Sequence, residues 1–486
     1  MADRSRPWPA LIALIVGYFM VVLDMTVVAV ANPVIMKSLR TDVSSLVWAT
    51  SAYLLTFAAL LLPAGRLGDH AGPKRVYLAG IAVFTAASLA CGLAPSIGAL
   101  IAARAVQGIG AALVTPQTMA VITQTFPPER RSAAMSLWGA VAGLANLAGP
   151  LLGGFLVDQA GWQWIFYVNV PVGIAGSALA VRYVPTLPAH TRRFDLTGLA
   201  LSSTGMSLLV LGIQEGGSHG WTSWSAAGGV AVLAAFVAHQ HRTATDPLLP
   251  LGIFRDRAFA AAALAVGLAA AAVAAVMVPL YLYLESVRDL PGTRAGLLLA
   301  PMALLAIVFV PIIGLFGDRL HPRVAPVTGL ALFAATLAGF SLLMTPHSPV
   351  GLFLVAAAVA GLANACIWPS LAVAATLRLS PKQAGAGAGV YNATRQLGSV
   401  LGSAAVSAVV ASRMSARGLP ADLAAGSDGS TAVPVALRPA FGSALADAVY
   451  LPVALLTLGA LVAALIVRAK RPAPPARPVT PAVVNS

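Results

Sequence analysis

Long runs of apolar residues recur along the whole 486-residue chain, broken by short clusters of Gly, Pro and charged residues. Many runs approach the ~20 residues a helix needs to span the hydrocarbon of a bilayer. Without water, each segment must satisfy its own backbone polar groups, and runs of this length do so as α-helices. The ~10-residue alternating segments of a membrane β-barrel are absent. The pattern predicts an all-α polytopic membrane protein with fourteen spans. They fall roughly at 10–32, 46–66, 75–94, 98–122, 132–156, 163–184, 195–213, 225–240, 257–285, 292–315, 324–344, 350–377, 385–411 and 447–468, the eighth being short.

The pattern also repeats. Gly65-Arg-Leu-Gly68-Asp69-His-Ala-Gly-Pro73-Lys74 aligns with Gly314-Leu-Phe-Gly317-Asp318-Arg-Leu-His-Pro322-Arg323 at a shift of 249 residues. The following helix keeps this register: Gly80, Ala82, Phe84 and Ala86 meet Gly329, Ala331, Phe333 and Ala335. Further on, Gly149 and Gly153 meet Gly398 and Gly402. Small residues also serve plain helix packing, so single matches carry little. A register held over five spans predicts two pseudo-symmetric six-helix bundles, 1–190 and 251–470, with two linking helices in 191–250 and a disordered Pro-rich cytoplasmic tail at 471–486. Two packed halves around a cavity are the build of a rocking transporter.

Composition agrees. Only 9% of residues are charged and 58% are hydrophobic, against about 25% charged in soluble domains. The net charge of +14 comes without a basic stripe interleaved with aromatics, which argues against nucleic acid. It fits the orientation rule instead. With the N-terminus inside, 21 Lys and Arg fall in inner loops and tails and 7 in outer ones, and Arg104 and Arg395 lie within spans. An even number of spans with both termini cytoplasmic follows. Cys91 and Cys366 both lie in apolar runs and read as packing residues. No cleavable signal peptide is evident.

The motifs resemble those of the major facilitator superfamily, in particular the fourteen-helix drug:proton antiporters of the EmrB/QacA type. Gly65 to Arg75 resembles the loop between helices 2 and 3, with His70 where Arg is usual. Arg104-Ala-Val-Gln107-Gly108-Ile-Gly110 resembles the helix 4 motif. Gly149-Pro150-Leu-Leu-Gly153-Gly154 resembles the antiporter signature of helix 5. Leu23-Asp24-Met-Thr26 through Ala29, Asn32 and Pro33 resembles the helix 1 motif, with Ala29 where Asn is usual and Asn32 where Leu is usual. Trp162-Gln-Trp164 through Asn169, Pro171 and Gly173 is similar to the helix 6 stretch. The resemblance implies proton-coupled efflux of lipophilic, cationic drugs or toxic metabolites across the cytoplasmic membrane. It leaves proton-coupled uptake of a small solute as the alternative.

Asp24 is the only carboxylate well inside a predicted span. A charge at that depth costs a few kcal/mol or more, so such residues face the protein interior and mark function. Asp24 lies eight residues before Asn32, ~12 Å below the outer boundary at ~1.5 Å per residue. Arg104 lies ~9 Å below the same boundary on that rise, so the two can pair when Asp24 is ionised. Competition between a proton and drug at Asp24 would give antiport; the bland alternative is a permanent structural pair. Arg395, near mid-membrane, either binds an anion or a carbonyl, repels cations, or bonds a polar neighbour such as Asn392.

Other candidates follow the resemblance and the repeat. Gly149, Pro150, Gly153 and Gly154 would thin and bend helix 5 as a hinge and seal. Gly65, Asp69, Lys74, Arg75, Asp318, Arg319 and Arg323 would form a conformational latch on the cytoplasmic face. Tyr18, Tyr53, Trp138, Tyr281, Tyr283, Trp368 and Tyr391 are candidate substrate contacts, since aromatic faces suit lipophilic cations; packing against lipid is the rival reading. The expected partners are a small molecule, protons and membrane lipid, and the chain is expected to be a monomer. No cofactor or metal is expected: the seven histidines sit in loops or at helix ends, and no Gly-x-x-x-x-Gly-Lys-Ser/Thr loop exists for ATP. No soluble signalling domain is present to suggest a sensor, and nothing suggests an enzyme.

Overall fold

A computed structural model describes residues 7–188, 195–214, 220–242, 247–290, 292–317, 321–345, 347–380, 383–420 and 433–466. The expected tail at 471–486 lies outside them. The helices are α1 Pro7–Leu39, α2 Val43–Ala71, α3 Pro73–Gly92, α4 Ile97–Thr125, α5 Pro128–Ala160, a short α6 Trp164–Tyr167, α7 Asn169–Tyr183, α8 Leu196–Gln214 and α9 Gly220–Arg242. There follow α10 Arg257–Leu282, α11 Gly292–Gly317, α12 Val324–Leu343, α13 Val350–Thr376, α14 Ala384–Ser415, α15 Arg438–Ala448 and α16 Tyr450–Ala463. No β-strand occurs among the described residues.

Helix ends follow local chemistry. Asp42 accepts from Ser45 N–H at the start of α2, Ser96 from Ala99 N–H at α4, and Asp256 from Ala258 N–H at α10. Each satisfies an N–H that has no intrahelical acceptor. Gly72, at φ 91°, ends α2 in a conformation that disfavours a side chain, and Pro73 opens α3 directly after it.

Twelve helical segments among the described residues are long and apolar enough to cross a membrane. They coincide with every expected span except the fifth and the eighth. At those two places α5 and α9 are continuous helices of 33 and 23 residues, parts of which lie outside the described side chains. The fourteen-span expectation is therefore met for twelve.

α1 packs on α4, α5 and α7, and α4 on α2 and α3. In the second group α10 packs on α14 and α16, and α13 on α11 and α12. The groups meet through α2 against α14 and α5 against α11. α8 and α9 pack on one another, and α8 leans on α2 and α14. The α2–α14 contact is tight at the Asp69 end. Towards the opposite end the two helices part around a cavity of about 670 Å³, walled by α1, α2, α8 and α14.

Candidate functional site

Asp24, four residues before the end of the apolar span Pro7–Val28, is fully buried. α4 presents Arg104 and Gln107 to it on one face, three residues apart as helix geometry requires. Arg104 Nη1 donates to Asp24 Oδ2 at 2.5 Å. Gln107 Nε2 and Asn169 Nδ2, the latter from α7, donate to Oδ1 at 2.9 and 3.0 Å. Ser88 Oγ on α3 accepts from Gln107 at 2.6 Å and from Asn169 at 3.3 Å. Arg104 also donates to Gln107 Oε1 at 2.6 Å and to the Ala49 carbonyl at 3.4 Å. Its guanidinium lies 4.2 Å from the centre of the Tyr53 ring, within cation–π range. Five helices thus converge on one ion pair. Burying two charges is tolerated only with such complete bonding, and removing one partner of a buried pair costs about 3–5 kcal/mol.

Sequence reasoning placed Asp24 beside Arg104 but gave no role to Gln107, Asn169 or Ser88. Gln107 and Asn169 stand inside quoted motifs, so a signal was present. Ser88 carried none. Tyr53, expected among the substrate contacts, belongs to this cluster.

A second site joins the two helix groups at the other end. Asp69 accepts from the N–H groups of Gly385 and Ala386, each at 2.8 Å. It thereby caps the first turn of α14, whose own N-cap residue Gln383 makes no side-chain cap bond. A carboxylate on a helix N-terminus satisfies orphan donors and complements the macrodipole. Arg131 does the converse for helix C-termini. It donates to Thr376 O at 3.3 Å, in the last residue of α13, and to Thr123 O at 2.7 Å in α4. Gly65 and Gly385 touch so closely that a Cβ on either would strike the other's carbonyl oxygen.

The remaining latch candidates are not brought to this contact. Lys74 donates to Val181 O at 2.8 Å, within its own helix group. Arg75 and Arg323 are exposed. Asp318 and Arg319 lie outside the described residues. Gly385 and Arg131 were missed: the first hid in an alternating Ala-Gly run, the second in a loop charge pair.

Four candidate aromatics meet where the groups join. Tyr18 on α1 stacks on Trp138 of α5 at 4.8 Å between ring centres. Tyr391 on α14 donates to the Trp368 carbonyl of α13 at 3.5 Å. Arg395 lies close enough to act on both Tyr18 and Tyr391, without the geometry of a full hydrogen bond to Tyr18 Oη. Tyr18 Oη and Trp138 Nε1 are buried without a partner. Tyr281 instead points outward at 37% exposure. Tyr283 is held by the carbonyls of Leu343 and Thr345.

Gly149 and Gly153 pack against Thr26 and Val27 of α1, where added side chains would collide, whereas Gly154 faces open space. For Pro150 only the helical backbone is described, and α5 runs through it without a break. A close α1–α5 crossing is therefore present at these glycines.

The sequence profile of the Major Facilitator Superfamily matches residues 14–403. The chain belongs to the Major Facilitator Superfamily. It is 44% identical over 469 residues to an uncharacterized MFS-type transporter of Mycobacterium tuberculosis, covering 95% of this chain and 81% of the other. It is 34% identical over 419 residues to the tetracenomycin C resistance and export protein of Streptomyces glaucescens, covering 85% and 77%. Among solved structures, the proton:xylose symporter XylE superposes with a TM-score of 0.64 at 11% identity, covering 94% of this chain and 95% of that one, which shows the fold alone. As a Major Facilitator Superfamily protein the chain is a multi-pass membrane protein of a family of transporters, with relatives named for antibiotic resistance and export. In this superfamily member the Asp24 cluster lies within one helix group, and the Asp69 contact and the aromatic layer lie between the two.

Proposed function

We propose that this chain exports lipophilic antibiotics or toxic metabolites across the cytoplasmic membrane in exchange for protons. The observation that carries the reading is Asp24: a fully buried carboxylate held by Arg104, Gln107 and Asn169. Protonating Asp24 removes the charge that binds Arg104 and turns one acceptor oxygen into a donor. Oδ1 accepts from Gln107 and Asn169 and Oδ2 from Arg104, so a proton on either oxygen sets donor against donor and the cluster must rearrange. That links proton occupancy to the packing of α1 against α4 and α7. The names of relatives that confer antibiotic resistance favour export.

On this proposal fourteen helices cross the membrane, α5 and α9 included, since 33 and 23 residues exceed the ~20 needed. The bundles then occupy 1–190 and 251–470, with α8 and α9 in 191–250 between them. The Lys and Arg bias puts both termini and the Asp69 end in the cytoplasm. The structure then represents the state closed to the cytoplasm. The protein acts as a monomer, in contact with lipid. Asp24 is committed to Arg104 and so offers no free counter-charge to a cation.

The test is efflux of a fluorescent drug from cells, with and without an uncoupler, for the wild type and Asp24→Asn. Wild-type efflux should stop with the uncoupler, and the variant should insert but fail to drive efflux. Undiminished efflux by Asp24→Asn sinks the coupling role, and proton-driven accumulation would favour uptake instead.

A further inference from the structure

The cavity between α2 and α14 has an unusual wall for a transporter of lipophilic compounds. Thr50 and Ser51 face it from α2, and Gln396, Ser399 and Ser403 from α14, with Asn32 from α1. The α14 residues lie at i, i+3 and i+7, a single helix face. Ser51 is only 4% exposed. Yet the side chains of Thr50, Ser51, Gln396 and Ser403 make no hydrogen bond to the protein. Asn32 Oδ1 is buried without a partner, and Asn32 stands where the resembling antiporters usually carry Leu. Asn32 Oδ1 and Ser51 are withdrawn from bulk water, and a polar group so placed without a partner is costly. Thr50 and Gln396 are half-buried and Ser403 is exposed. All face one cavity of about 670 Å³. That volume suits a drug-sized molecule, whose sites run to about 300–1,000 Å³.

Among the described residues the wall holds no charged side chain. A lipophilic cation entering would lose hydration without gaining a counter-ion, and Arg395, next to Gln396 on α14, would repel it. An uncharged molecule with hydroxyl, carbonyl or amide groups would instead meet donors and acceptors on α1, α2 and α14, and apolar surface from Leu54 and Ile213. We infer that this cavity is a binding site for uncharged, hydrogen-bonding molecules and that it discriminates against lipophilic cations. The inference rests on the export reading only in taking the bound molecule as the one transported. The seal at Gly65 and Gly385 lies ~22 Å along α2 from Thr50 at ~1.5 Å per residue, so a molecule in the cavity sits on the releasing side.

The test is equilibrium binding of two probes to the full-length protein in lipid nanodiscs, with no proton gradient. Chloramphenicol is uncharged and carries hydroxyl and amide groups; ethidium is a lipophilic cation. Chloramphenicol should bind saturably and more tightly than ethidium. The combined Thr50→Val, Ser51→Ala and Ser403→Ala variant should bind chloramphenicol at least tenfold more weakly, with ethidium unchanged. Should that variant fail to fold, Thr50→Val alone decides, with a threefold loss for chloramphenicol and none for ethidium. Ser403→Asp should reverse the preference. Absent chloramphenicol binding, tighter binding of ethidium by the wild type, or equal loss of both probes would overturn the inference. Binding in the expected pattern without accumulation inside energised everted vesicles would overturn the export reading and leave the site standing.

Discussion

Gly65 and Gly385 meet backbone to backbone, with no side chain between them. Shifted forward by 249 residues, Gly65 becomes Gly314, and shifted back by the same amount, Gly385 becomes Ser136. That second pair also touches: a Cβ on Gly314 would collide with Ser136. The two contacts between the helix groups are images of one another in the repeat register. Each is closed by a glycine on the group's second helix.

Gly385→Val should prevent this closure, because the new side chain meets the Gly65 carbonyl and the Asp69 carboxylate, which the N–H groups of Gly385 and Ala386 hold in place. The protein should insert normally but lose at least tenfold in efflux. Spin labels on the cytoplasmic ends of α2 and α14 should report a larger separation than in the wild type. An unchanged separation would show that the glycines do not set it.

Asp69→Asn keeps the size of the cap but loses the charge and one acceptor oxygen. Caps of this kind contribute about 0.5–2 kcal/mol, so the sealed state should lose roughly tenfold in population relative to the open one. Arg131→Gln should act in the same direction, through the C-termini of α13 and α4. The same pair of spin labels measures both variants.

Arg104→Ala leaves Asp24 buried beside neutral donors only. Loss of one partner from a buried pair costs about 3–5 kcal/mol, so this variant should yield little folded protein. Asp24→Asn combined with Arg104→Gln should recover yield, measured by size-exclusion chromatography, without recovering proton-driven efflux. Recovery of both would show that the pair is structural.

The α8–α9 hairpin carries a pH dependence of its own. Burial pushes the Asp195 carboxyl up, but hydrogen bonds from Gly198 N–H, Gln240 and His239 outweigh it and hold it below the ordinary carboxylate range. A carboxyl with a depressed folded value stabilises above its unfolded value, about 3.9, and that contribution is lost as pH falls through the folded value. Protection of the first amides of α8 against hydrogen exchange, taken relative to the intrinsic rate at each pH, should therefore be full above the unfolded value and fall as pH drops below it. Asp195→Asn should remove most of that difference.

Hydropathy made the spans legible because lipid imposes length and apolarity directly on a helix. The repeat was legible because Gly and Asp at helix ends are demanded by contact geometry. Depth alone placed Asp24 level with Arg104. Helix rotation was harder to read. Where both lipid and protein interior are apolar, a helix shows little amphipathic period, so nothing told Tyr18 and Trp138, at the junction, from Tyr281, facing out. For the same reason the turn of α3 that brings Ser88 to Gln107 left no trace in the pattern. Arg131 looked like one more positive loop charge until α13 ended beside it.

The pairing of Asp24 with Arg104 has an electrical consequence. While both are ionised the cluster is neutral within the membrane. When Asp24 takes a proton, Arg104 remains, and the protein holds one net positive charge in the transmembrane field. If the cargo is uncharged, nothing compensates that charge during the conformational change. Each 100 mV of membrane potential would then contribute about 2.3 kcal/mol to the cycle for every proton admitted. Export should therefore respond to voltage even where the pH is equal on both sides.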